Sequence, residues 1–350
     1  MTERALEVRR RARLWHGLTN GPLMSGGLIV LALILVAAVG PHLASHDPTD
    51  QTWFLEVDGE TRTPPFPPSA RFLLGTDQQG RDLLSLLISG AGQTLSIAAA
   101  VMAARVIVGF VLGAVSGWYH GRAVDQAIMS LASAEAAFPS LILGVLLILA
   151  LGIQKGLPTF VVALCFLGWA EVTQYVRGEF VTIRQRPFIE GARAVGLSTP
   201  DIITRHVLPN VFPSLLALAS LEMGSVLLTL GELGFVGLFI GGGISTMDVY
   251  DRPVVYFSVP EWGAMLSNSW RYARSYPWMT LYPAAAFFVA VLGFNLLGMG
   301  LQELVERSGV NLASLPFKRL LMAAAVVALA VWFILDNTGP AVIYARQARA

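Results

Sequence analysis

Seven apolar runs divide the chain, at 23–40, 93–118, 127–152, 157–176, 211–239, 279–300 and 318–335. Each approaches the roughly 20 residues that a helix needs to cross a bilayer. Polar stretches separate them, so the pattern predicts an all-α integral membrane protein, a polytopic bundle of about six core spans with an extra C-terminal span at 318–335. The implied organisation is a cytoplasmic N-terminal segment 1–22, a first anchor 23–40 and an external segment 41–92. A core transmembrane domain 93–305 follows, with a cytoplasmic loop 177–210 and an external insertion 240–277, and then a C-terminal segment 306–350.

Charge fixes the orientation. Fourteen basic residues lie on the side that holds the N-terminus and nine on the other, which by the positive-inside rule makes the first side cytoplasmic. The first run follows a basic segment but has a long apolar core and no small-residue cleavage site, so it reads as an uncleaved anchor. The 24 basic and 23 acidic side chains nearly cancel, leaving no field to recruit nucleic acid. With 55% hydrophobic and 13% charged residues, the solvent is mainly lipid. The lone Cys165 cannot form an intrachain disulfide.

The informative polar insert is 177–210. Pro187 suits a first helical position, and Phe188, Ile189, Ala192 and Val195 fall on one face at helical spacing. Gly196 is placed to stop the helix in a left-handed conformation, Ser198 or Thr199 to cap a second helix, and Pro200 and Asp201 to fill its first turn. Pro209 is expected to close it. So short an apolar stripe suits either a groove on a partner or the lipid surface.

The order Glu190-Gly191-Ala192, then Gly196, then Leu208-Pro209 resembles the EAA signature of permease subunits of bacterial ABC importers. The closing Arg205-His206-Val207-Leu208-Pro209-Asn210 is similar to the peptide-importer branch, as is Gly75-Thr76-Asp77-Gln78-Gln79-Gly80-Arg81-Asp82 ahead of the second run. Further likeness lies in Ala137-Phe138-Pro139-Ser140, Pro260-Glu261-Trp262-Gly263-Ala264-Met265-Leu266 and Phe294-Asn295-Leu296-Leu297-Gly298. The resemblance, to the C-type subunit of oligopeptide and dipeptide permeases, covers roughly 70–305. It implies a type I ABC importer permease in the bacterial inner membrane, working with a second homologous permease, two ATPase subunits, an extracellular or periplasmic substrate-binding protein and a peptide substrate. ATP and Mg would be used by the partner subunits, with no cofactor bound by this chain. The implied ATPase-coupling residues are Phe188, Glu190, Ala192, Gly196, Leu208 and Pro209. Departures are an insertion at 241–259, Ser133 where the family commonly has an acidic residue, and the extra span at 318–335.

Read without the family, Thr76 or Asp77 could cap a short amphipathic helix, with Arg81 and Asp82 pairing locally or facing headgroups, the alternative being contact with substrate or binding protein. Arg105, Glu135, Glu171, Glu222 and Glu232 fall inside apolar runs, where each costs at least about 2 to 3 kcal/mol unless it faces water or a partner. Glu135, Glu222 and Glu232, with Gly224 and Gly231, are therefore candidates for a pore lining or a subunit interface. Trp262, Trp270, Tyr272, Tyr276, Trp278 and Tyr282 read as an interfacial aromatic belt. No phosphate-binding loop, zinc motif or nucleophile elbow is present, so the chain alone is expected to catalyse nothing. Two rival classes stay open at this level: an ion-gradient-driven secondary transporter using the intramembrane carboxylates, and a structural membrane protein.

Overall fold

The computed structural model describes residues 20–57, 59–152, 157–240, 244–247, 253–256, 260–267 and 269–308. The expected span at 318–335 lies outside the described residues. The chain opens with α1 (Gly21–Leu43), a short hairpin β1 (Leu55–Val57) and β2 (Glu60–Arg62), and the 36-residue α2 (Leu83–Trp118). Next come α3 (Ala123–Ala136), α4 (Ser140–Leu151), α5 (Leu157–Cys165) and α6 (Trp169–Arg184). The polar insert holds α7 (Pro187–Ala194) and α8 (Thr199–Ile202), and α9 (Leu208–Phe235) re-enters the apolar region. Strands β3 (Ile244–Met247) and β4 (Pro253–Tyr256) pair as an antiparallel hairpin. Two short helices, α10 (Trp262–Leu266) and α11 (Ser269–Tyr272), lead to α12 (Trp278–Ser308).

Among the described residues four helices are long and apolar enough to cross a membrane, or up to six if each of two bent pairs is counted as one span. The fold is thus the all-α multi-span bundle that the apolar pattern predicts. Two helix pairs are bent. The α3/α4 pair turns by 94° at Pro139, because proline has no N–H to continue the ladder and restricts the residue before it. The α5/α6 pair bends by 48° at Gly168, whose φ is +87°. Helix α2 begins at Leu83, well ahead of the apolar run at 93, because Asp82 caps it by accepting from the Ser85 N–H at 2.9 Å and hydroxyl at 2.6 Å. At 1.5 Å per residue α2 is about 54 Å long, well beyond the ~30 Å hydrocarbon thickness.

Two apolar cores lie along that length. One is shared by α2, α4, α5, α9, α10 and α12, around Ile97, Phe160, Leu227 and Trp262. The other, at the end that carries the polar insert, joins α6, α7 and α9 through Phe180, Ile189 and Val211. Between them α2 and α6 meet along a seam of glycines at Gly109, Gly113 and Gly117. A methyl group on Gly113 would stand 2.7 Å from the Thr173 carbonyl, and one on Gly117 2.6 Å from the Phe180 Cβ. Small residues at a four-residue interval let the two backbones approach, which is how helices associate where lipid removes the hydrophobic driving force.

Gly113→Ala is expected to lower the apparent thermal midpoint of the detergent-solubilised protein, consistent with an overpacking loss of about 1 to 3 kcal/mol. Gly178→Ala, on α6 with no atom within 4 Å of the added methyl, should leave the midpoint unchanged or raise it slightly. Equal midpoints for Gly113→Ala and wild type would contradict the seam.

Candidate functional site

The polar insert folds into one short helix and an elbow. Pro187 occupies the first turn of α7, Glu190 lies in that turn and Arg193 in the last, so both charges oppose the helix dipole. Gly196, at φ +81°, ends it. The Leu197 N–H reaches the Ala192 carbonyl at 3.1 Å and the Gly196 N–H the Arg193 carbonyl at 3.0 Å, the paired bonds of a Schellman motif. Ser198 then caps α8, accepting from the Asp201 N–H at 3.4 Å.

The expectation that Pro209 closes a second helix is not met. Residues Ile203–Val207 form a π-helical turn, with the Leu208 N–H bonded to the Ile203 carbonyl, and the chain passes straight from α8 into α9. Pro209 sits near the start of α9. A widened turn just before a residue that lacks an N–H lets the helix continue without the bond that Pro209 cannot make. The insert is one free helix plus an extension of the fifth span.

The apolar stripe of α7 also divides. Ile189 and Ala192 are buried against α6 and α9, whereas Phe188 is 45% and Val195 78% exposed. Phe188, Gly191 and Val195, at i, i+3 and i+7, form an outward ridge, and all three are exposed. Ala192, a candidate coupling residue, therefore seats the helix on the bundle. Glu190 and Gly196 are exposed, and Leu208 and Pro209 are half-buried. The Phe188 ring lies 6.5 Å from the His206 ring, beside a cleft of about 730 Å³ lined by Glu179, Arg186, Asn210, Gln302 and Glu306 among others.

Next to this surface is a polar knot that the sequence reading missed. Asp125, buried at the start of α3, accepts from the Ser116 hydroxyl, the Gly121 N–H at 2.8 Å and the Arg177 guanidinium at 2.6 and 2.9 Å. His120 Nδ1 stands 3.1 Å from the same carboxylate. The knot ties the α2–α3 turn to α6.

The intramembrane charges resolve into two kinds. Glu222 pairs with Arg105 at 3.5 Å, and Arg105 Nε donates to the Leu164 carbonyl at 2.8 Å. Glu135 accepts from the Gly168 N–H at 3.0 Å. Both candidate carboxylates are thus engaged within the chain. Gly224 is likewise internal, since a methyl there would stand 3.2 Å from the Asn295 side chain of α12. Glu232 differs: it is exposed, and with Gly231, Phe235, Phe287 and Phe288 it lines an apolar groove of about 440 Å³.

At the opposite end, the Gly75–Asp82 loop forms no short amphipathic helix, and Arg81 pairs locally, with Asp77 at 2.7 Å. Trp278 donates to the Thr76 carbonyl at 3.2 Å. Pro260–Leu266 is buried throughout, so Trp262 belongs to the core and not to an interfacial belt. The Trp262 N–H bonds the Thr94 hydroxyl at 3.1 Å and its indole the Leu87 carbonyl at 2.9 Å. Glu261, outside the six spans, accepts from the Ile240 N–H at 3.1 Å. Burial pushes its carboxyl up to about 8. Among the described residues no cluster of His, Cys, Asp or Glu could hold a metal ion.

Residues 109–308 match the family of binding-protein-dependent transport system inner membrane components. The di/tripeptide transport system permease protein of Pseudomonas aeruginosa is 32% identical over 85% of this chain and 92% of its own length. A dipeptide transport system permease protein of Alkalihalophilus pseudofirmus is 31% identical, covering 80% of this chain and 84% of its own. The nickel transport system permease protein of Escherichia coli K12 is also 31% identical, over 79% and 91% respectively.

Gly196→Val should strain the elbow by about 1 to 2 kcal/mol, since a β-branched residue resists positive φ, while the open space around Gly196 leaves span insertion untouched. The expected result is normal membrane expression with a displaced α7, read as increased protease cleavage between Arg193 and Arg205. A wild-type cleavage pattern would count against the elbow. For Glu261, the folded carboxyl keeps its proton to about pH 8 whereas an unfolded glutamate loses it near pH 4. Across that window the folded state binds more protons, so stability falls as pH rises. The thermal midpoint of wild type should drop between pH 5 and 8 more than that of Glu261→Gln, and parallel curves would refute the assignment.

Proposed function

Because the chain belongs to the family of binding-protein-dependent transport system inner membrane components, a permease subunit of an ATP-driven importer in the bacterial inner membrane, we propose that it carries peptides and that α7 with its Gly196 elbow is where the ATPase subunits dock. The observation that carries the docking reading is the division of α7 into a buried side, Ile189 and Ala192, and an exposed ridge, Phe188 and Val195. A helix held to its own bundle by one side and offering an aromatic plug on the other suits a groove on a soluble partner. Leu208 and Pro209 act from behind, setting the angle at which the elbow joins α9. The peptide cargo is supported by the di/tripeptide and dipeptide relatives, and the nickel relative supplies the competing outcome.

In this reading the chain holds no nucleotide and catalyses no reaction. ATP bound with Mg by two partner ATPases draws the elbows of this chain and a second homologous permease together, while a loaded substrate-binding protein engages the external face. The cycle turns only if nucleotide binds one conformation more tightly than the other, because equal affinity shifts no population. Of Glu135 and Glu232, the carboxylates on which an ion-coupled transporter would draw, Glu135 is held by the Gly168 N–H, which favours the ATP-driven reading, while Glu232 lines an apolar groove.

Co-expression with the ATPases, the second permease and the binding protein, followed by reconstitution in proteoliposomes, tests the proposal. Uptake of labelled di- and tripeptides should require ATP and the binding protein, and the purified single chain should hydrolyse no ATP. Phe188→Asp should release the ATPase subunits on purification and lower uptake by at least about tenfold, the loss of roughly 1.4 kcal/mol or more expected of a buried aromatic anchor. Retention of the ATPases by Phe188→Asp would refute the docking surface, and uptake of nickel without peptide uptake would refute the cargo.

A further inference from the structure

Trp118 ends α2 between two cations. The Arg193 guanidinium, from α7, stands 5.5 Å from its ring centre and that of Arg184, at the end of α6, 6.0 Å. Arg184 Nη1 also donates to the Trp118 carbonyl at 2.7 Å, one of the terminal carbonyls of α2 that lack a helical partner. Both contacts have a favourable sign, cations over a ring face and a cation at a helix C-terminus. They close a triangle of α7, α6 and α2 at the end of α2 that carries the polar insert.

The other end of α2 grips the external segment. Leu87 and Thr94 receive the indole and backbone N–H groups of Trp262, and a methyl on Gly90 would stand 3.3 Å from the Glu261 nitrogen. Between Thr94 and Trp118 the helix runs about 36 Å. Along that length the glycines at 109, 113 and 117 hold it to α6. A continuous helix clasped at both ends transmits displacement along its axis with little loss, because close-packed helices do not deform continuously.

We propose that Trp118 is a positioning residue that makes α2 a rod, carrying movement of α7 to the buried Pro260–Leu266 plug so that the cytoplasmic elbow and the outer mouth move together. The inference rests on the reading of α7 as the ATPase dock, and it adds the route by which that dock reaches the far side. Arg193 is the handle on α7, and Trp118 is the point at which α2 receives it.

The test uses the assembled complex in proteoliposomes, with peptide taken up per ATP hydrolysed as the readout. Trp118→Ala and Arg193→Gln should each lower that ratio roughly 3- to 30-fold, the range of mutations along a coupling network, with the ATPases co-purifying as in wild type. The double variant should be no worse than the poorer single one, the signature of a shared contact. Trp118→Phe, which keeps a ring face, and Arg193→Lys, which keeps the cation, should recover most of the loss. If Trp118→Ala fails to assemble, the Arg193→Gln and Arg193→Lys pair at an exposed position carries the comparison alone. A wild-type ratio in Arg193→Gln, losses that multiply in the double variant, or no recovery by Phe or Lys would overturn the rod. Phe188→Asp measured alongside separates the two readings: if it keeps its ATPases, the dock itself fails, and if it loses them while the Trp118 and Arg193 variants keep the wild-type ratio, only the rod fails.

Discussion

Arg105 is the interaction on which the interior depends. A span broken inside a bilayer exposes carbonyls at one new end and N–H groups at the other, with no water to receive them. The break between α5 and α6 is repaired by charge: Arg105 on α2 donates to the Leu164 carbonyl at the end of α5, and Glu135 on α3 accepts from the Gly168 N–H at the start of α6. Each charge has the sign that its helix end favours. Glu222 on α9 then balances the cation, so one guanidinium joins α2, α5 and α9. A side chain at Gly168 would meet it, because the added Cβ would fall 2.9 Å from Arg105 Nη1.

With the break fixed, α6 can lie along α2 as a straight neighbour for its full length, and the glycine seam becomes possible. The two ends of α2 are then finished by buried carboxylates. Asp82 caps the first turn, and Asp125 binds the Ser116 hydroxyl near the last while holding Arg177 of α6. Such groups are expensive to bury unless they are bonded: Asp125 uses both of its oxygens, whereas Asp82 is bonded through Oδ2. Their effect is to fix the length and rotation of α2, and with it the placement of the elbow at one end and the Trp262 plug at the other.

Much of this was legible in the residues. The multi-span helical bundle, the elbow at Gly196 and the Ser198 cap follow from local rules, and the local rules were not opposed by packing. The failures have a common physical origin. Residues 83–92 contain Ser85, Ser89, Gly90 and Gly92, which lowered the apolar signal although the helix there is capped and buried in protein. Gly109, Gly113 and Gly117 stood at the right interval, but in a uniformly apolar run nothing marks which face meets a neighbour. The pairing of Glu222 with Arg105 and of Asp125 with Arg177 joins residues 117 and 52 positions apart, and no local pattern reports such contacts. On α7 the periodicity was right and the side was not, since Ile189 and Ala192 face the bundle while Phe188 and Val195 face out.

Pro209 shows how a stop signal becomes a joint. Proline removes one bond, and the chain can end the helix or widen the preceding turn. Here the turn at Ile203–Val207 widens, and side chains attend to nearby carbonyls: Thr204 Oγ1 donates to Pro200 at 2.8 Å and Asn210 Nδ2 to His206 at 2.6 Å. A π turn is less regularly bonded than the α-helix on either side of it, so the elbow joins α9 through a softer segment than the one that joins it to α6 and α2. In the proposed coupling, the route through Trp118 is therefore the stiffer of the two, and the α9 route is the one that would absorb a change of angle.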